Sequence, residues 1–347
     1  MAALSDLQSG SITIAAGSAS QTATVTAIVL ANSFLRFSWY TATTSDAVGA
    51  VRGNITDTTT LTFTRNTTTT AITVDWEVVE FSSGVTAQRG SVTHSSATTN
   101  VTISAVTTAK SWPIVTFSTA DTTWSASYVG IQASITTTTN LALVSNAASS
   151  NVVEWQVIQY DNCTSALYSP TINNDSLGGT QAITSVTQNK TLLFDSFYAD
   201  DDPHTPENFG RWALTSATVV TYTNPADSGT GSHYHKLYVV SFTDSIAVQR
   251  ASTSLAVGGT TTTTATVTSI TVANTFIHIL GAYGTCSATG YATNGFPRNA
   301  CTCEITNTTT ITLTRNTGTS ASTCSWELID FTGISSKTRS WVIWFGI

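Results

Sequence analysis

Along most of its length the chain alternates apolar and polar residues with a period of two, most clearly over residues 73–91, TVDWEVVEFSSGVTAQRGS. Val74, Trp76, Val78 and Glu80 alternate against Asp75, Glu77, Val79 and Phe81; Ser82, Ser83 and Gly84 break the run, and a second alternating run follows. A period of two sends successive side chains to opposite faces of an extended backbone, so two strands joined by a short turn are predicted. No stretch carries sustained 3.6-residue apolar spacing, so helices should be nearly absent and the fold class is all-β.

The pattern returns. In residues 325–340 Trp326, Phe331, Arg339 and Ser340 take the places of Trp76, Phe81, Arg89 and Gly90, and in 237–252 Phe242, Gln249 and Arg250 match Phe81, Gln88 and Arg89. Residues 155–170 keep Trp155 and Tyr160 but have lost the Gln-Arg pair. Repetition at this period predicts a tandem array of four β-sandwich modules of about 80 residues. They span 10–90, 91–170, 171–250 and 251–340, the third with a divergent acidic loop and the fourth with a cysteine-bearing insertion within 281–300. With no Pro, Gly-Gly or charged linker between them, the modules should form a stiff rod whose ends share strands.

The two ends are the assembly candidates. Residues 1–9, with Leu7 and Gln8, resemble the end of a module and are expected to be a half-strand. Residues 341–347 hold Trp341, Val342, Ile343, Trp344, Phe345 and Ile347, the most apolar run in the chain. An unpaired apolar strand templates pairing with other chains. If the tail of one copy completes the first half-module of the next, the contact does not close and a filament grows; folding back onto the fourth module is the competing outcome.

Composition narrows the classes. Charged residues are 10% of the chain, against roughly a quarter in an average soluble protein, and threonine is about a fifth of the residues, so the surface must be made of hydroxyls. A net charge of −7 and a pI near 5.0 argue against nucleic acid as a partner. No apolar run is long enough for a membrane-spanning helix, and the N-terminus lacks the basic start and apolar core of a secretion signal. The numbering is therefore expected to start at a mature end, or the chain to leave its cell by lysis, either way reaching an extracellular or virion surface.

Chemistry-bearing residues are few. Asp200, Asp202 and His204 lie in the acidic concentration, but the glycine-punctuated pattern of a calcium loop is missing and a solvated loop is the better reading. His233 and His235 are a weak zinc alternative. No nucleophile elbow, H-E-x-x-H or phosphate loop is present, so no cofactor and no enzyme activity are expected. Glu77 and Glu80, like Glu327 and Asp330, recur with the repeat and read as architectural. Cys286, Cys301, Cys303 and Cys324 lack zinc-type C-x-x-C pairs, which favours two disulfides in an oxidising setting. Trp39, Tyr40 and Trp124 lie at or beside variable loops and are candidates for stacking on glycans. Asn54, Asn66, Asn100, Asn162, Asn174, Asn189 and Asn307 head N-x-S/T sequons.

The runs T-F-T-R-N at 62–66, W-E-V-V-E-F at 76–81 and V-x-x-Q-R-G-S at 85–91 resemble tandem repeats of phage-associated and environmental structural proteins, including extracellular fibre subunits. The resemblance covers the whole chain through short architectural motifs, and it implies a fibre or virion appendage with no catalytic residues. The expected function is a homo-oligomeric structural subunit that polymerises head-to-tail into a filament; the alternative is a carbohydrate-binding adhesin or receptor-binding fibre protein.

Overall fold

A computed structural model describes residues 2–41, 50–119, 130–146, 151–173, 178–200, 210–223, 231–256, 261–280, 287–289, 300–315 and 321–334. The first quarter of the chain contributes β1 (Ala3–Ile14), β2 (Ser20–Thr24), β3 (Ser33–Thr41), β4 (Arg52–Asp57), β5 (Thr60–Thr64) and β6 (Ile72–Ser83). The second contributes β7 (Val85–His94), β8 (Thr98–Thr102), β9 (Ser111–Ser118), β10 (Gln132–Thr137), β11 (Asn140–Val144) and β12 (Asn151–Tyr160). The third has β13 (Cys163–Tyr168), β14 (Thr171–Asn173), β15 (Gly178–Ala182), β16 (Thr191–Ala199), β17 (Arg211–Ser216), β18 (Val219–Thr223) and β19 (Ser232–Phe242). The fourth has β20 (Ala247–Leu255), β21 (Thr262–Thr266), β22 (Thr275–Ile279), β23 (Ser287–Thr289), β24 (Cys301–Asn307), β25 (Thr310–Arg315) and β26 (Ala321–Asp330). Among the described residues the only helical pieces are single 3-10 turns, and no helix is long and apolar enough to cross a membrane.

One strand order recurs in every quarter. In the first two quarters the first and third strands flank the last, as in β1-β6-β3, and the second and fourth flank the fifth, as in β2-β5-β4; the third quarter keeps this order with its first strand split into β13 and β14, and the fourth with the short β23 added beside β26. All pairings in these first two sheets are antiparallel. The cause is the alternation: Ile72, Val74, Trp76 and Val78 point from β6 toward Leu61 and Phe63 of β5, forming an apolar layer between the sheets. Thr60, Thr62 and Thr64 face outward, where cross-strand hydroxyl pairs such as Thr56–Thr62 (2.5 Å) and Thr215–Thr221 (2.9 Å) form. Complete burial of Phe63 or Leu61 stabilises the fold by about 1.5–3 kcal/mol each. The recurring tryptophan explains the recurring glycine, because a Cβ on Gly10 or Gly90 would meet the indole of Trp76 or Trp155 at 2.7 or 2.6 Å.

The other face of each central strand is also apolar, which decides how the quarters sit. Val79 and Phe81 of β6 turn away from β5 into a second cluster that draws on all four quarters. Two sets of equivalent side chains form it: Phe34, Trp112, Leu192 and Phe276, and Phe81, Tyr160, Phe242 and Phe331. Phe81 meets Phe331 edge-on at 5.4 Å and Tyr160 at 5.7 Å, and Tyr160 meets Phe242 at 4.9 Å.

Hydrogen bonds then run from quarter to quarter and return to the start. Leu35 N–H donates to Gln156 Oε1 (2.8 Å), Ile135 N–H to Tyr238 Oη (2.8 Å), Leu193 N–H to Glu327 Oε2 (3.0 Å), and Ile277 N–H to Glu77 (3.1 Å). A second belt repeats the circuit: Gly53 N–H to Thr116 Oγ1 (3.2 Å), Ala133 N–H to Ser196 Oγ (2.9 Å), Trp212 N–H to Leu280 O (3.1 Å) and Cys303 N–H to Ser38 Oγ (3.4 Å). The fourth quarter thus closes on the first. The expected rod is corrected to a ring, because a rod would leave Val79, Phe81 and their equivalents in water.

The repeat boundaries are corrected too. The first inner sheet ends at Ser83 and β7 opens the next after a turn at Gly84, where φ is 74°; the Q-R-G-S run therefore lies inside the first strand of a sheet, not at the end of the preceding one. Residues 3–9 are not a half-strand awaiting another copy: they are the first part of β1, paired with β6 through two register shifts before Asp6, with Leu7 opposite Val79 and Gln8 opposite Val78. A twelve-residue β6 can pair with a β1 of the same length, so that edge is satisfied within the chain.

Candidate functional site

The titratable groups concentrate where the ring closes. Arg36 on β3 lies directly across from Glu77 on β6, while the fourth quarter brings His278 on β22 and the third brings Phe194 on β16. Arg36 Nη2 hydrogen-bonds to His278 Nδ1, while His278 Nε2–H donates to Leu193 O at 2.9 Å; that pattern fixes the neutral tautomer. Burial first, then the Arg36 charge, hold His278 well below the usual histidine range. The guanidinium lies 5.9 Å over the Phe194 ring, a cation–π contact. Burial lowers Arg36 to about 10 against the opposing pull of Glu77. Glu77 is pushed up to about 8, since burial outweighs the Ile277 N–H and the Arg36 charge.

Two cavities adjoin this cluster. One of about 70 Å³ is walled by Arg36, Trp39, Thr116, Asp195, Trp212 and His278, drawn from all four quarters. The other, about 170 Å³, lies between the first and fourth quarters and is lined by Ser9, Arg36, Glu77, Thr275, Cys303 and Glu304 among others. Further round, Asp195 pairs with buried His235 at 2.9 Å. His233 is lowered to about 3, by burial and then by His235.

The residues singled out from sequence fall in scattered places. Gln8, Gln88 and Gln249 are equivalent: each amide accepts from and donates to one loop backbone, at Thr26, Ser104 and Thr268 respectively. Trp39 is buried at 4% exposure, so it cannot stack on a sugar as it stands; Tyr40 is half-buried, and Trp124 lies outside the described residues. Asp200 accepts from Ser232 N–H (2.6 Å) and Tyr234 Oη–H (2.8 Å); Asp202 and His204 lie outside the described residues, among which no metal-binding group forms. His233 and His235 share one face of β19 among Phe197, Trp212 and Tyr222. Asn66, Asn100, Asn189 and Asn307 are exposed, Asn54 and Asn162 half-buried, and Asn174 undescribed.

The cysteine expectation is corrected in part. Cys301 and Cys303, two apart on β24, share the inward face; Cys301 Sγ lies 3.1 Å from Cys324 Sγ, whereas Cys303 is a buried free thiol. Cys286 lies outside the described residues, as do all six residues named in the 341–347 tail. Arg36, His278, Gln156 and Tyr238 escaped the sequence reading. The available signal was that one polar residue recurs at the Glu77 position of an otherwise apolar strand. A scan against protein-family models finds no match to this chain, and a search of curated proteins finds no significant match.

Proposed function

We propose that the chain is four tandem copies of one two-sheet β-sandwich module closed into a ring, and that it serves as the structural subunit of an extracellular or virion-associated filament. The observation that carries this reading is the use made of one polar group per quarter, buried at Gln156, Tyr238 and Glu327 and half-buried at Glu77. Glu77, Gln156, Tyr238 and Glu327, one per repeat at the same place on the central strand, each accept a backbone N–H from the neighbouring quarter. These side chains, costly to bury alone, fix a shape. Outside, a hydroxyl surface with few charges loses little on desolvation when copies pack together.

In this reading assembly is head-to-tail and rests on residues 341–347 alone, since Leu7 and Gln8 are paired within their own chain. The tail adds to an exposed sheet edge of the next copy. Negative-stain microscopy of the full chain beside one lacking 341–347 tests it: threads from the first and monodisperse particles from the second are expected, and monodisperse full-length protein at high concentration refutes it. A glycan-binding fibre is the second reading, favoured by the unequal segments that follow β3, β9, β16 and β22 at equivalent places. A glycan array with Trp124→Ala checks it.

A further inference from the structure

The arginine of the recurring Gln-Arg pair ties two of the four seams and is replaced in the other two. Between the first and second quarters, Arg89 donates from Nη2 to Leu30 O (2.6 Å) and Ser33 O. Between the third and fourth, Arg250 donates to Gln188 O (2.6 Å) and Thr191 O, and from Nε to Glu327 Oε1 (3.1 Å). These carbonyls occupy one structural place, the 3-10 turn leading into the third strand. Between the second and third quarters Leu167 stands in the arginine's register, opposite Tyr238, an apolar substitute for the ion pair.

Where the fourth quarter closes on the first, the register position opposite Glu77 is Ser9, and the turn is Val272–Asn274 followed by Thr275. Here the cavity of about 170 Å³ opens, lined by Ser9, Glu77, Val272 and Thr275 together with Asp75 and Glu304. Glu327 divides its two oxygens between Leu193 N–H and Arg250; both oxygens of Glu77 face the single Ile277 N–H, at 3.2 and 3.1 Å. Arg36 does not fill the gap, since its guanidinium is engaged by His278 and Phe194. No ion pair to Glu77 forms among the described residues.

We propose that this cavity binds a guanidinium group supplied from outside the chain, free arginine or an arginine side chain of a partner, in the place that Arg89 and Arg250 fill at the other seams. The ligand pairs with Glu77 and donates to the carbonyls of Val272 and Thr275, a fork that a point-like ammonium does not match. Because Glu77 sits near 8 when the cavity is empty, binding tightens as pH rises through that value.

Calorimetry on the full chain tests this with four probes: methylguanidinium, N-acetyl-arginine amide, N-acetyl-lysine amide and the tripeptide Gly-Arg-Gly. The guanidinium probes should bind saturably, at least fivefold more tightly than the lysine probe. Ser9→Arg should raise the melting temperature and abolish binding, and Glu77→Gln, which preserves volume, should weaken it at least tenfold. A fifth probe, free L-arginine, separates the sources: tighter binding of L-arginine than of the amide and the tripeptide assigns the free amino acid, and binding of the amide and the tripeptide at least as tight as that of L-arginine assigns a protein side chain. Equal affinity for lysine and guanidinium probes, or unchanged binding in Glu77→Gln, overturns the proposal.

Discussion

Replacing Phe81 by alanine distinguishes a ring from a string of independent units. Phe81 is 1% exposed and touches Phe34 of its own quarter (6.4 Å), Tyr160 of the second (5.7 Å) and Phe331 of the fourth (5.4 Å). A buried Phe→Ala change costs about 3–5 kcal/mol; three ring contacts, each of about 0.5–1.5 kcal/mol beyond area, place this one toward the upper end. Phe63→Ala removes an equally buried ring, but one that packs edge-on against Phe37 of its own quarter at 5.2 Å. The two variants should lose similar free energy in denaturant melts and differ in where the loss is felt. Hydrogen exchange read by mass spectrometry should show lost protection in β6, β12 and β26 together for Phe81→Ala, and mainly in residues 2–83 for Phe63→Ala. Exchange confined to residues 2–83 in both would refute the shared hub.

Three further outcomes follow from the geometry. The folded-state pKa of Glu77, about 8 against 4.5, lies above its unfolded value, so the protonated carboxyl contributes stability that is fully present below 4.5 and lost as pH rises through 8. At 1.36 kcal/mol per unit this sets a ceiling of about 5 kcal/mol, and Glu77→Gln should flatten that decline in melts taken from pH 4 to 9. Arg52→Ala removes the 2.6 Å ion pair to Glu154 and a bond to Ser118 across the first seam; a cost of about 1–3 kcal/mol is expected, with a double-mutant cycle against Glu154→Ala measuring the coupling. Under oxidising conditions peptide mapping should find Cys301 joined to Cys324. Cys163 and Cys303, whose thiols burial pushes up, should resist alkylation until the protein unfolds.

The alternation of Thr with Leu, Phe and Ile in runs such as TLTFT determined by itself that the chain is all-β, because that spacing gives an apolar face only to an extended backbone. The spacing of Trp76, Trp155 and Trp326 likewise made the repeat legible. Where one sheet ends was not legible, because a repeat read along a line has the same period from any starting point; only the Gly84 turn and the pairing of β1 with β6 set the phase. Closure belonged to the tertiary structure alone. Val79 and Phe81 announce a second buried face without saying what covers it, and the partners of Glu77 and Arg36 come from Ile277 and His278, 200 and 242 residues away. Local pattern fixes which faces must leave water; which faces meet is decided by the geometry that buries all of them at once.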